Sequence, residues 1–158
     1  METKPVEVLL KEKKIYQIVN PKLVQAPPDF SLQEVVEVMQ VSRSGYVVIA
    51  NKKKVAGIFT ENDLVMKVLD KKVDWKRPVS EFMTKNPPIL MMSDSVGRAI
   101  DMMAETGLYH IPLVDEHKNL ANVISVRTLI RFLAEFYPAE VFNLPPDPSQ
   151  IMETPEGG

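Results

Sequence analysis

The chain has 158 residues, 45% of them hydrophobic and 25% charged, a balance that fits one compact soluble domain or two small subdomains sharing a core. Its formal net charge of -2 supplies no general attraction for nucleic acid or for an anionic membrane surface, and neither is expected as a partner. Cysteine is absent, which excludes disulfides, thiol nucleophiles and cysteine-ligated zinc; His110 and His117 match no common two-histidine spacing, so no metal is expected.

The opening METKPVEVLLKEKKI is charged and interrupted by Pro5, without the apolar core of a signal peptide. Apolar runs such as residues 46–50 (YVVIA) fall far short of the roughly 20 residues that cross a bilayer, so a cytoplasmic protein is expected. A proline-rich extended piece, PKLVQAPP, leads into SLQEVVEVM (31–39), whose apolar residues recur with helical period behind a candidate N-cap, Ser31. Two apolar runs follow, YVVIA and VAGIF (55–59), separated by the polar turn NKKK, and together they predict a strand hairpin. The lysines of that turn read as a solvated loop. Thr60 then opens a helix over ENDLVMKVL (61–69).

The same order returns. TKNPPILMM is extended, SVGRAIDMM (95–103) is helical behind Ser95, HIPLV (110–114) and LANVI (120–124) form a hairpin, and Ser125 opens the helix VRTLIRFLAEF. Ser31 meets Ser95, Val36 meets Ile100 and Met39 meets Met103, each pair 64 positions apart. Two copies of helix–strand–strand–helix, each with a short preceding strand, predict an α+β module whose halves bury their sheets together with pseudo-two-fold symmetry. The boundaries drawn are 6–70 for the first copy, 71–78 for a linker, 79–137 for the second copy and 138–158 for a proline-rich tail. Trp75 in the linker is expected to pack on the module. In the tail, Val141, Phe142 and Leu144 form an apolar hook that could dock or hang free.

The chemistry gathers where the second strand of the first copy ends, in GIFTENDL (57–64). Gly57 lacks a Cβ and lets another group approach the strand closely. Thr60 stands where free backbone N–H groups attract phosphate, and Asp63 is an acceptor-only carboxylate able to take both hydroxyls of a ribose. The same Thr-x-x-Asp also reads as an imperfect capping box, and both readings stand at this stage.

The tandem pattern, with GIFTENDL closing one copy and NVISVRTL closing the other, resembles a pair of CBS domains, a Bateman module, over roughly residues 6–136. The resemblance implies a regulatory module without catalytic activity of its own, which takes an adenosine-containing ligand (AMP, ADP or ATP foremost) between the copies and modulates a partner protein. It implies a homodimer as well. By the same resemblance the ligand is held by Gly57, Ile58, Thr60 and Asp63, with Arg43, His110 and Arg127 reaching phosphates and Thr84, Pro88 and Ile89 contacting adenine. The second copy departs from the pattern: Asn122 replaces the glycine and Thr128 the aspartate, so Ser125, Thr128 and Val24 would make a weaker second site. No catalytic cofactor is expected, because the chain has no nucleophile elbow and no glycine-rich phosphate loop. The rival reading is a structural dimerisation scaffold with vestigial clefts. For either, the helix faces bearing Val35, Val38, Met39, Met102 and Met103 are expected to remain partly uncovered for a second copy.

Overall fold

The computed structural model describes residues 5–136. Helix α1 (Val6–Glu12) and a 3-10 turn (Ile15–Gln17) lead into β1 (Gln25–Ala26), α2 (Leu32–Ser42), β2 (Tyr46–Asn51), β3 (Lys54–Thr60) and α3 (Glu61–Asp63). A 3-10 turn (Val79–Glu81) opens the second copy. It continues with β4 (Thr84–Lys85), β5 (Leu90–Met91), α4 (Val96–Thr106), β6 (His110–Val114), β7 (Leu120–Ser125) and α5 (Val126–Phe136). Residues 137–158, which carry Val141, Phe142 and Leu144, lie outside the described residues.

Both hairpins form as the paired apolar runs predict. Strands β2 and β3 pair antiparallel, as do β6 and β7, while β1 joins β2 and β5 joins β6 in parallel. Ser31 and Ser95 cap their helices: the Ser31 hydroxyl accepts from Glu34 N at 3.1 Å, and that of Ser95 from Arg98 N at 3.2 Å. One element differs from expectation. The helix over 61–69 is α-helical only through Asp63, then widens to a π turn (Leu64–Val68) closed by Leu69 N donating to Leu64 O at 3.0 Å. The wider turn seats Val68 in the core, where it is buried, and leaves Lys67 reaching back to Asp63.

The two copies are interleaved. Ile15 precedes the first sheet, yet it is buried with Leu90, Val96, Ile111 and Phe132 of the second copy. Val79, its counterpart 64 positions on, is buried with Leu32, Val35, Val47 and Phe59 of the first. The backbone repeats the exchange. Leu32 N donates to Arg77 O at 2.8 Å and Val96 N to Lys13 O at 2.9 Å, so each long helix spends an otherwise unpaired N-terminal amide on the crossing segment. Trp75 packs on the first core as expected. A smaller cluster of Val48, Ile58 and Val123 joins the two sheets.

Interleaving overturns one expectation. Val35, Met39 and Met103, assigned to an uncovered face, lie inside the chain's own cores, with Val38 and Met102 packed against them. The crossing segments cover what an isolated repeat would have left bare. The apolar side chains that do stay exposed include Val41, Val65, Met66 and Leu69, on α2 and around the π turn.

Gly57 is needed for space. A Cβ there would lie 2.5 Å from Met83 Sδ and 2.8 Å from the Thr84 carbonyl oxygen. The methionine can swing away but the carbonyl belongs to the β3–β4 ladder, where Gly57 pairs with Lys85. Gly57→Ala is therefore expected to destabilise by about 1–3 kcal/mol, the usual range for overpacking. In a chain of this size that lowers the melting temperature by roughly 2–4 °C per kcal/mol, measurable by calorimetry.

Candidate functional site

At the first copy's motif, Thr60 and Asp63 form a reciprocal cap. Asp63 N donates to Thr60 Oγ1 at 3.3 Å, and Thr60 N donates to Asp63 Oδ2 at 3.0 Å. The Thr60 hydroxyl lies 3.2 Å from the same Oδ2. Oδ1 accepts from the Thr84 hydroxyl at 3.2 Å and pairs with Lys67 Nζ at 3.0 Å. Asp63 is only 5% exposed. A carboxylate has about four lone-pair directions, and the chain itself occupies that many. Of the residues assigned to this site, Thr84 does join Thr60 and Asp63, and Gly57 lies beneath Met83 and Thr84. Ile58 faces the inter-sheet cluster, Pro88 is half-buried and Ile89 is exposed.

Arg43, His110 and Arg127 lie elsewhere. They meet around a separate cleft of about 460 Å³, where Val24, Ser125 and Thr128 also line the wall. Lys22, Tyr46, Glu61, Tyr109 and Arg131 complete it. The structure thus divides the predicted residues by crossing: the extended segment of the first copy faces the closing motif of the second. Position 131 follows 127 by one helical turn on α5, a signal available in the sequence. Tyr46 is the repeat counterpart of His110, also legible in the sequence, but Lys22 carried no signal, because only the chain crossing brings it here.

The wall of this cleft is basic. Lys22, Arg43, Arg127 and Arg131 face one carboxylate, Glu61. Among the described residues, Arg43, Arg127 and Arg131 form no ion pair with any carboxylate. The Ser125 hydroxyl accepts from Thr128 N at 3.2 Å and caps α5, and Val126 N donates to the Tyr109 carbonyl at 2.9 Å; the positive end of the helix dipole still favours an anion here. Arg43 ends α2 in the left-handed conformation, φ 53° and ψ 45°. Its counterpart 64 positions on is Gly107, φ 73°, the residue that geometry ordinarily selects. An arginine kept at a glycine position is backbone strain on a wall of the cleft.

Tyr46 and His110 open equivalent strands, and their rings meet with centroids 5.2 Å apart. Burial pushes the His110 imidazole below its usual range, an effect that Glu61 partly offsets. Burial also raises the Tyr46 phenol, against a hydrogen bond from the Val24 backbone.

A CBS domain model matches residues 15–70 and again 79–135. The chain belongs to the CBS domain family. An uncharacterised 17.7 kDa protein of Acidianus ambivalens is 30% identical over 125 residues, covering 78% of this chain and 75% of its own length. The inosine-5'-monophosphate dehydrogenase of Aquifex aeolicus is 28% identical over 116 residues, but the match spans 72% of this chain and only 23% of that enzyme. Among solved structures, a CBS domain protein of Pyrobaculum aerophilum complexed with AMP superposes with a TM-score of 0.71 at 22% identity, over 80% of this chain and 99% of that one. The CBS domain pair of protein MJ0100, in complex with 5'-methylthioadenosine and S-adenosyl-L-methionine, gives 0.70 at 17% identity, over 78% and 97%. These likenesses establish the paired α+β fold. Among the described residues no helix is long and apolar enough to cross a membrane.

The lowered His110 carries a pH consequence. The unfolded chain, with an ordinary imidazole near 6.5, binds the proton more readily than the folded chain. The stability is therefore present above that value and is lost as pH falls through the lower folded one. Chemical denaturation between about pH 7.5 and pH 5.5 is expected to show this decline, and His110→Gln to flatten it.

Proposed function

We propose that the chain is a non-catalytic regulatory module that binds a phosphorylated adenosine ligand in the basic cleft and changes its contacts with a partner protein when it does so. One observation carries the reading: Arg43 from the first copy and His110 and Arg127 from the second converge on one cleft, without ion-paired carboxylates for the arginines. A cleft of about 460 Å³ falls in the range of small-molecule sites. Arginine offers phosphate a planar, bidentate grip, and the positive end of the α5 dipole adds attraction for an anion. Val24, Tyr46 and Val123 supply apolar wall for a base. Solved CBS pairs crystallised with AMP, or with 5'-methylthioadenosine and S-adenosyl-L-methionine, support the adenosine class. The charge balance of this cleft then favours the phosphorylated members over the cationic sulfonium.

The scaffold reading retains one observation in its favour, the self-satisfied Asp63, which offers no free acceptor to a ribose. A second copy of the chain remains the proposed assembly partner, docking through the exposed apolar side chains of α2 and the π turn rather than the faces first assigned. Light scattering at about tens of micromolar, where such dimers persist, should give a dimer; a monomer would count against it.

Calorimetric titration tests the ligand. ADP and ATP are expected to bind more tightly than AMP, and adenosine and S-adenosyl-L-methionine at least about tenfold more weakly than ADP, a difference that shrinks as salt screens the arginines. No saturable binding of any of them at millimolar concentration would favour the scaffold. Arg43→Gly separates a binding role from a structural one. Relief of the left-handed strain should leave stability unchanged or raise it by up to about 1 kcal/mol. Loss of a charge-assisted contact should weaken ADP by about tenfold or more.

A further inference from the structure

The two copies part company where each receives the segment leading into the other. In the first, Gly57 pairs with Lys85 and Ile58 with Thr84, so β4 lies directly on β3. Met83 then sits against Gly57, within 2.5 Å of where a Cβ would stand. The Thr84 hydroxyl and the Lys67 ammonium meet Asp63 Oδ1, and Lys67 Nζ also donates to the Phe82 carbonyl at 3.0 Å. In the second copy Asn122 stands in place of the glycine and is 5% exposed. Its Nδ2 donates to the Asn20 carbonyl at 2.7 Å, and its Oδ1 accepts from Val123 N at 2.8 Å. Asn20 is the counterpart of Thr84, 64 positions earlier. A side-chain amide therefore occupies the place of a backbone ladder. Among the described residues, no strand pairs with β7 on that side. The basic cleft lies between Asn20 and Thr128.

We propose that the chain takes one ligand rather than two. Lys67 and Thr84 close the Thr60–Asp63 face from within, the ammonium and hydroxyl holding the carboxylate that a ribose would need. Asn122 props the crossing segment off β7 and keeps the other cleft open. The inference deepens the function proposed above and rests on it. It inverts the order of the sites expected from the motifs, since the intact Thr-x-x-Asp marks the closed face and the altered Ser-x-x-Thr the open one.

The test is calorimetric titration of the full chain with ADP, with circular dichroism to confirm folding of each variant. One ADP per chain is expected, and two per chain would overturn the inference while leaving the functional reading intact. Asp63→Asn should hold ADP within about twofold of the wild type and melt at a lower temperature; a tenfold loss of affinity would overturn the closed assignment. The double variant Lys67→Ser with Thr84→Ala removes both donors from Asp63 Oδ1 and is expected to add a second, weaker binding event. If it folds and still binds one, these side chains are not what closes the face. If the wild type binds no ADP, the reading of the basic cleft fails instead. Arg127→Ala should remove the wild-type event.

Discussion

Ile15 and Val79 stand 64 positions apart, each fully buried in the core of the copy to which it does not belong in sequence. Burying such a side chain is worth about 1.5–3 kcal/mol, and here each burial also fixes where the chain crosses. The crossing is sealed by amides at the starts of α2 and α4, which donate to Arg77 and Lys13 carbonyls. The placement of both candidate faces follows from this exchange. It delivers the segment through Lys22 and Val24 to the closing motif of the second copy, and Thr84 to that of the first.

Once the segments cross, the electrostatics of the two faces diverge. Asp63 enters a buried environment, where an unpaired carboxylate is costly, and the chain supplies Lys67 and Thr84 to satisfy it. Thr128 at the corresponding position of the second copy carries no charge and demands no cation; its hydroxyl is within 3.2 Å of the Ser125 hydroxyl. The arginines around it are consequently left for something else. A motif that looks stronger by composition can therefore be the more self-contained one.

The strain at Arg43 and the burial of His110 follow the same pattern. Each is a local departure from what the fold alone would prefer, and both lie on the wall of the same cleft. The Gly107 counterpart, also left-handed but off the lining of the cleft, keeps the rule.

Sequence alone determined the repeat, the two hairpins, the helix caps and the α+β class. These depend on period, spacing and local hydrogen bonds, which are written within a few residues of one another. It also named Arg43, His110, Arg127, Val24, Ser125 and Thr128, though it split them between two sites. Only the tertiary structure decided which residues share a cleft, because that depends on which segment crosses onto which sheet. It also decided which helix faces remain bare, because Ile15 and Val79 cover the opposite copies. The difference between the two faces was present in the sequence as Gly57 against Asn122. Its consequence was not, since a missing Cβ matters only once Met83 and Thr84 arrive beside it, and an amide only once Asn20 is within reach.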